Sequence, residues 1–280
     1  MIQIVTDTTC GIPIAELKSL GITVLPQIVV FGNRSYRDDY EINTAAFLDK
    51  LESSPKLPGT AAPPPSLYQP IFAEYLEQGD DILVLAPSKK TSGTYRNAMV
   101  ASEEFNTDRI HVLDTQTIAG GLGTLVLKAR EWANAGLRLP EIEQEVIEMA
   151  KREHVFCVLD TLEYLHKGGR IGGASKLLGG LLQIKPILTL KEGEAQPYDK
   201  VRTSKQAFLT LELLNSALLQ NNPEPYLTVS HCRAETEASA LAQKLSARHH
   251  LTQVPIYTVP PAIVVHTGPG ALSTSVFAAA

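Results

Sequence analysis

Cysteine is scarce. Cys10, Cys157 and Cys232 are the three in 280 residues, far apart and never in CxxC spacing, which excludes a disulfide framework and a zinc knuckle and fits a reducing cytoplasm. Nor is basic charge in excess. The 25 Lys and Arg are outnumbered by 30 Asp and Glu, the net charge is −5, and the cations are scattered, so the footprint of a nucleic-acid-binding protein is missing. No apolar run approaches the length of about 18 residues that a spanning helix needs. MIQIVTDTT enters a strand pattern directly, with neither a basic n-region nor a cleavage site, so the chain is expected to be neither secreted nor membrane-spanning. Familiar catalytic signatures are also absent. Gly120, Gly121 and Gly123 are misspaced for a dinucleotide loop, no P-loop or nucleophile elbow occurs, and the seven histidines contain no HExxH. Neither a cofactor nor a metal is therefore expected.

What is present is enough apolar material, 44% of the chain, for a large core, and a length that predicts two domains. In the first half, strands alternate with helices: Ile2 to Val5, then a helix behind Pro13; Ile82 to Leu85, then a helix from Gly93; Arg109 to Leu113, then a long helix beyond Gly123. This alternation predicts an α/β layer with a mainly parallel sheet. From residue 153 the pattern changes. Ile187 to Lys191 and Pro197 to Val201 flank Gly193 as a hairpin, helices are predicted at Gly172 to Leu182, Ser204 to Leu219 and Glu235 to Arg248, and strands at Val155 to Leu159, Tyr226 to Ser230, Pro255 to Val259 and Ala262 to His266. We therefore expect an α/β domain over 1–153 and an α+β domain with an antiparallel or mixed sheet over 154–280.

Ligands of parallel sheets bind at the carboxyl ends of the strands. Three such ends carry hydroxyl and Asp clusters: Thr6-Asp7-Thr8-Thr9, Ser88 to Thr94 (with Thr91 and Ser92), and Asp114 to Thr117. At Ser88 to Thr94 two readings stand side by side. The hydroxyls can cap their own helix, or they can join the unpaired N–H groups and partial positive charge of its N-terminus in holding an anion. Pro58-Gly59-Thr60-Ala61-Ala62-Pro63-Pro64-Pro65 is stiff, and reads either as a linker or as a support for a positioned Thr60. Lys167-Gly168-Gly169-Arg170 ends a helix. One glycine suffices for the cap; the second leaves room for something bulky, and Arg170 can grip a carboxylate or phosphate. His266 precedes a tight Thr267-Gly268-Pro269-Gly270 loop.

Taken together, TDTT at Thr6, TAAPPPS at Thr60, SKKTSGTYRNA at Ser88, Asp114-Thr115, LEYLHKGGRIG at Leu162, KVRT at Lys200 and HTGPGAL at His266 resemble, in order and over essentially the whole chain, the DegV family of bacterial fatty-acid-binding proteins. The resemblance implies two domains holding one long-chain fatty acid in an apolar tunnel, with its carboxylate at the domain junction. It implies that an ATP-dependent fatty acid kinase converts that carboxylate to an acyl phosphate while the chain stays bound, the carrier having no turnover alone. Carried over, the carboxylate ligands are Thr60 and Ser92 with His266 nearby, and Arg170 and Arg202 serve the phosphate or the kinase. Thr94, Asp7 and Thr91 are secondary candidates. The family usually has Ser or Thr after the first Thr of the proline-rich motif, and often Gln next; here Ala61 and Ala62 stand instead, which removes a donor near the head group. Residues such as Leu177, Leu178, Leu181, Leu182, Ile184 and Ile263 are candidates for the tail or for ordinary core. A lipid ligand is compatible with transient membrane contact. Two competing readings are a stand-alone hydrolase or phosphotransferase using Asp7, Asp114 and the hydroxyls, and a regulatory module for which the lipid is a signal.

Overall fold

The computed structural model describes residues 1–178 and 184–279. The chain divides into two compact units, Met1–Asn43 with Pro58–Lys151, and Thr44–Leu57 with Arg152–Ala280. The short segment Thr44–Leu57 thus leaves its chain neighbours and packs with the second unit.

In the first unit, β1 (Ile2–Asp7), α1 (Ile14–Ser19), β2 (Ile22–Leu25), β3 (Ile28–Phe31) and β4 (Arg34–Arg37) come before α2 (Thr44–Glu52) of the second. The chain returns with β5 (Gly59–Ala61), α3 (Pro65–Glu77), β6 (Asp81–Ala86), α4 (Thr94–Glu103), β7 (Ile110–Asp114), α5 (Gly120–Asn134) and α6 (Leu139–Ala150). The main sheet has the order β2-β1-β6-β7 and every pairing is parallel. Ile82, Leu83, Val84 and Leu85 are wholly buried, as a strand covered on both faces requires. Tyr68, Phe72, Ala98 and Ala101 of α3 and α4 pack with Val5, Leu25, Ile82 and Val84, while α5 lies against β1 and β6. From β1 the chain steps to β2 on one side and to β6 on the other. The carboxyl ends of β1 and β6 therefore flank a topological switch point, where a crevice opens between neighbouring loops.

β5 is the element composition hides. Gly59–Ala61 pairs antiparallel with β3, Thr60 opposite Val29, and β4 closes a three-stranded sheet on the other side of β3. The proline-dense stretch is thus anchored by a strand at its head, rather than being a free linker; Pro64 and Pro65 then start α3, where a missing N–H costs nothing.

The second unit adds β8 (Glu153–Val158), α7 (Glu163–Lys167), a 3-10 turn at Gly172–Leu177, β9 (Lys185–Lys191), β10 (Glu194–Val201), α8 (Ser204–Leu219), β11 (Tyr226–His231), α9 (Glu235–His249), β12 (Ile256–Thr258), α10 (Pro261–Thr267) and β13 (Leu272–Phe277). Its six-stranded sheet has the order β10-β9-β8-β13-β11-β12, antiparallel except for the parallel β11–β12 edge. α8 and α9 cover one face through Leu211, Leu219, Leu241 and Leu245. α2 is tied here by Thr44 Oγ1, which donates to Val259 O at 2.9 Å, and by Arg233, which pairs with Glu52 and Asp49.

Two sequence expectations fail. Ala262 to His266 is not a strand but part of α10. Its β-branched run reads as strand, yet Pro260 and Pro261 preset the first helical turn and Pro261 to Val265 are all buried, so no polar face betrays the period. The helix expected over Gly172 to Leu182 is a 3-10 turn ending at Leu177, and Leu181 and Leu182 lie outside the described residues.

Candidate functional site

At the switch point the sequence builds a buried polar network. Asp7 ends β1 and caps the 3-10 turn Thr8–Cys10, its Oδ1 accepting from Thr9 N at 2.8 Å and from the Thr9 hydroxyl. Asp7 Oδ2 accepts from Gln27 Nε2 at 2.7 Å and from Thr94 Oγ1 at 2.5 Å. Thr94, the first residue of α4, also lies 3.0 Å from Ser92 Oγ, and its N–H donates to Ser92 Oγ at 3.3 Å. Asp7 and Thr94 are 0% exposed, whereas Ser92 is half-buried. Burial pushes the Asp7 carboxyl above the ordinary carboxylate range, against the pull of hydrogen bonds from Thr9, Thr94 and Gln27.

Sequence reasoning missed Gln27. The available signal was a lone amide between Pro26 and Ile28 in an otherwise apolar run; a buried amide needs partners, and Asp7 and Thr94 are those partners. Thr91 serves the turn itself: its hydroxyl and its N–H both donate to Ser88 O, at 3.1 and 3.0 Å. Asp114 is likewise a turn former, accepting from Lys89 N and Gln116 N at 3.1 Å each.

Thr60 is carried by β5 next to this loop. A Cβ placed on Gly93 would stand 3.4 Å from Ala62 Cβ, and Asn97 Nδ2 donates to Pro63 O at 2.9 Å. The proline-rich motif and the hydroxyl-rich loop are thereby held together.

In the second unit, Arg170 and His266 come together. Arg170 follows α7, its N–H donating to Leu165 O at 2.9 Å and its Nη1 to Gly168 O at 3.1 Å. Gly169 takes the left-handed turn with φ +69, while a Cβ on Gly168 would stand 2.3 Å from His266 Nδ1. The two glycines thus have separate duties, and the bulky group that Gly168 admits is the imidazole. Gly268 makes room for the Tyr164 ring in the same way, and Gly270 for the Asp160 carboxylate. Burial, assisted by the charge of Arg170, lowers the His266 pKa to about 4, so the ring is neutral at pH 7. Arg202 is exposed just before α8, its N–H donating to Gln206 Oε1 at 3.1 Å.

Asp7, Ser92 and Thr94 thus belong to one constellation and Arg170 with His266 to another, while Thr60 sits on β5, whose stretch meets the Ser92 loop through Ala62 and Pro63. Among the described residues no cluster of His, Cys, Asp or Glu is arranged to hold a metal ion, and no helix is long and apolar enough to cross a membrane. Of the residues named for an acyl tail, Ile263 is buried and Leu178 is 40% exposed.

Comparison with known proteins adds a whole-chain match. The model of the DegV family, described as uncharacterised proteins, matches residues 1–279. A DegV domain-containing protein of Deinococcus radiodurans is 33% identical over 275 residues, covering 98% of this chain and 97% of its own. Among solved structures, a DegV family protein from Thermus thermophilus, described for its fatty acid binding, superposes with a TM-score of 0.94 at 32% identity, over 99% of each chain. DegV from Bacillus subtilis, described as a fatty acid binding protein, gives a TM-score of 0.87 at 30% identity, again over 99% of both.

Proposed function

The chain belongs to the DegV family, and from that premise we propose that it binds one long-chain fatty acid and presents the carboxylate to an ATP-dependent fatty acid kinase, with no turnover of its own. The observation that supports the reading is the neutral donor at the switch point, the Ser92 hydroxyl, which lies 3.0 Å from Thr94 Oγ1; Thr60, on β5, is the second donor we assign. A carboxylate leaving water needs charge-assisted hydrogen bonds. Hydroxyls supply them without a tight ion pair, so the oxygen stays available as a nucleophile toward the γ-phosphate of ATP.

Thr60 and Ser92 are the carboxylate ligands in this reading, and His266 is a further candidate for the head group. Neutral at pH 7, His266 accepts or donates one hydrogen bond without neutralising the head group. Arg170 and Arg202 are assigned to the phosphate or to the kinase, because a guanidinium matches phosphate geometry. The acyl tail supplies the affinity: at about 0.8 kcal/mol per buried CH₂, about 14 methylenes gain at most about 11 kcal/mol before the costs of association. The carrier works in the cytoplasm, needs no cofactor, and meets membranes only transiently to load or unload.

The test is a binding assay paired with a kinase assay. Ser92→Ala and Thr60→Ala should each weaken fatty acid binding about 10- to 100-fold, the worth of one hydrogen bond to a charged group. Arg170→Ala should keep the lipid but slow acyl-phosphate formation once kinase and ATP are added. Lipid retention by Ser92→Ala equal to wild type removes Ser92 from the site, and loss of lipid from Arg170→Ala overturns the role given to that arginine.

A further inference from the structure

Thr94 Oγ1 has one proton and three neighbours: Asp7 Oδ2 at 2.5 Å, Gln27 Nε2 at 2.9 Å and Ser92 Oγ at 3.0 Å. Gln27 Nε2 only donates, and its contact with Asp7 Oδ2 at 2.7 Å fixes that orientation. The Thr94 proton therefore goes either to Asp7 or to Ser92. An ionised Asp7 accepts only, so Thr94 must donate to it, and the contact with Ser92 is a hydrogen bond only if Ser92 donates to Thr94. Ser92 then turns its proton inward and offers the ligand side a lone pair, which repels a carboxylate. With a proton on Asp7 Oδ2 the chain reverses: Asp7 donates to Thr94, Thr94 to Ser92, and the Ser92 proton points outward.

We propose that Asp7, acting through Thr94, is a positioning residue that sets the direction of the Ser92 hydroxyl, so that a carboxylate binds together with one solvent proton held on Asp7 Oδ2. The inference rests on Ser92 being a carboxylate ligand. On binding, water or buffer yields the proton, an O–H bond forms at Asp7, and the two hydroxyls rotate; the ligand itself remains an anion. On release the proton returns to solvent.

The surroundings of Asp7 suit this role. Each hydrogen bond it accepts comes from a neutral donor: Thr9, Gln27 or Thr94. Of the titratable groups around it, Tyr68 on α3 is pushed well above its ordinary range, by burial first and then by Asp7, and burial pushes the Cys10 thiol to about 12. Both stay neutral. Asp38, which accepts from Thr8 Oγ1 at 2.7 Å, also raises the thiol, and the same hydroxyl receives the Gln27 N–H at 3.1 Å. These neighbours offer an ionised Asp7 no cation, and a proton removes its buried charge at little structural cost.

The experiment is isothermal titration of the full chain with decanoate at pH 8 in phosphate and in Tris, whose different ionisation enthalpies count protons. Where Asp7 of the free chain is ionised, wild type should take up about one proton per decanoate and its affinity should fall about tenfold per pH unit, so the titration is repeated at pH 7 and pH 9 to bracket that range. Asp7→Asn removes the group that takes the proton, and should bind with no proton uptake and no pH dependence. Thr94→Val cuts the chain and should also lose the uptake, which keeps the test usable if Asp7→Asn does not fold. The carboxyl carbon of labelled decanoate should give the ¹³C shift of an anion. Binding by wild type with no proton uptake at any of these pH values overturns the inference, as does the shift of a protonated acid. So does uptake that survives Asp7→Asn and vanishes in His266→Gln, which would put the proton on His266. Binding of neither decanoate nor palmitate at any pH contradicts the fatty-acid reading itself, an outcome distinct from binding with a zero proton count.

Discussion

The first unit buries an acid among neutral donors, and the second buries a histidine beside a cation. Burial drives both groups toward their uncharged forms, Asp7 upward and His266 down to about 4, but the means of control differ. Around Asp7 polarity is carried by the direction of hydroxyl protons, which a single proton can reverse. Around His266 it is carried by the fixed charge of Arg170, which no ordinary pH removes. The first arrangement can reverse its polarity with one proton; the second holds a fixed charge.

The comparison also fixes how each unit should respond to pH. The folded pKa of His266, about 4, lies below its ordinary 6.5, so the unfolded chain binds more protons between those values. Its contribution to stability is intact above about pH 6.5 and is lost as pH falls toward 4, by at most about 3 kcal/mol. Urea unfolding of wild type and His266→Gln at pH 7.5 and 4.5 should show the variant losing less stability on acidification; equal losses would break the comparison. Asp7 works with the opposite sign, because its raised pKa makes the folded chain bind more protons, so its contribution falls as pH rises through that pKa.

Next in size is Gly168→Ala. The added Cβ would meet His266 Nδ1 at 2.3 Å and Tyr164 O at 2.9 Å, and the overpacking should cost about 2 kcal/mol in the same assay. Thr94→Val should cost about 1.5 kcal/mol, since Asp7 Oδ2, Gln27 Nε2 and Ser92 each lose a partner. Gly169→Ala meets no atom within 4 Å but keeps a φ of +69, so only backbone strain remains, about 1 kcal/mol. A Gly169 effect as large as that of Gly168 would show that the cap, and not room for the imidazole, explains the pair.

How far the sequence can be read depends on where its signals are local. The parallel sheet was legible because buried strands such as Ile82 to Leu85 are uninterrupted apolar runs closed by polar turns. Asp7, Ser92 and Thr94 were legible as short polar residues at the ends of those strands. β13 escaped because Ser273, Thr274 and Ser275 dilute its apolar pattern, although it pairs with β8 on one side and β11 on the other. β5 escaped because its three residues lie in a proline-dense stretch and gain strand character only from β3. The helix around His266 was misread because a fully packed helix has no polar face. Gln27 shows the general limit: its partners lie 20 and 67 residues away, and no local pattern announces a contact of that kind.

The most direct test of the central claim is denaturing extraction of the freshly purified protein followed by mass spectrometry. One fatty acid per chain is the predicted result, and its length and unsaturation would give the first view of specificity. A chain that carries no lipid, and takes up none when offered long-chain fatty acids, would contradict the account.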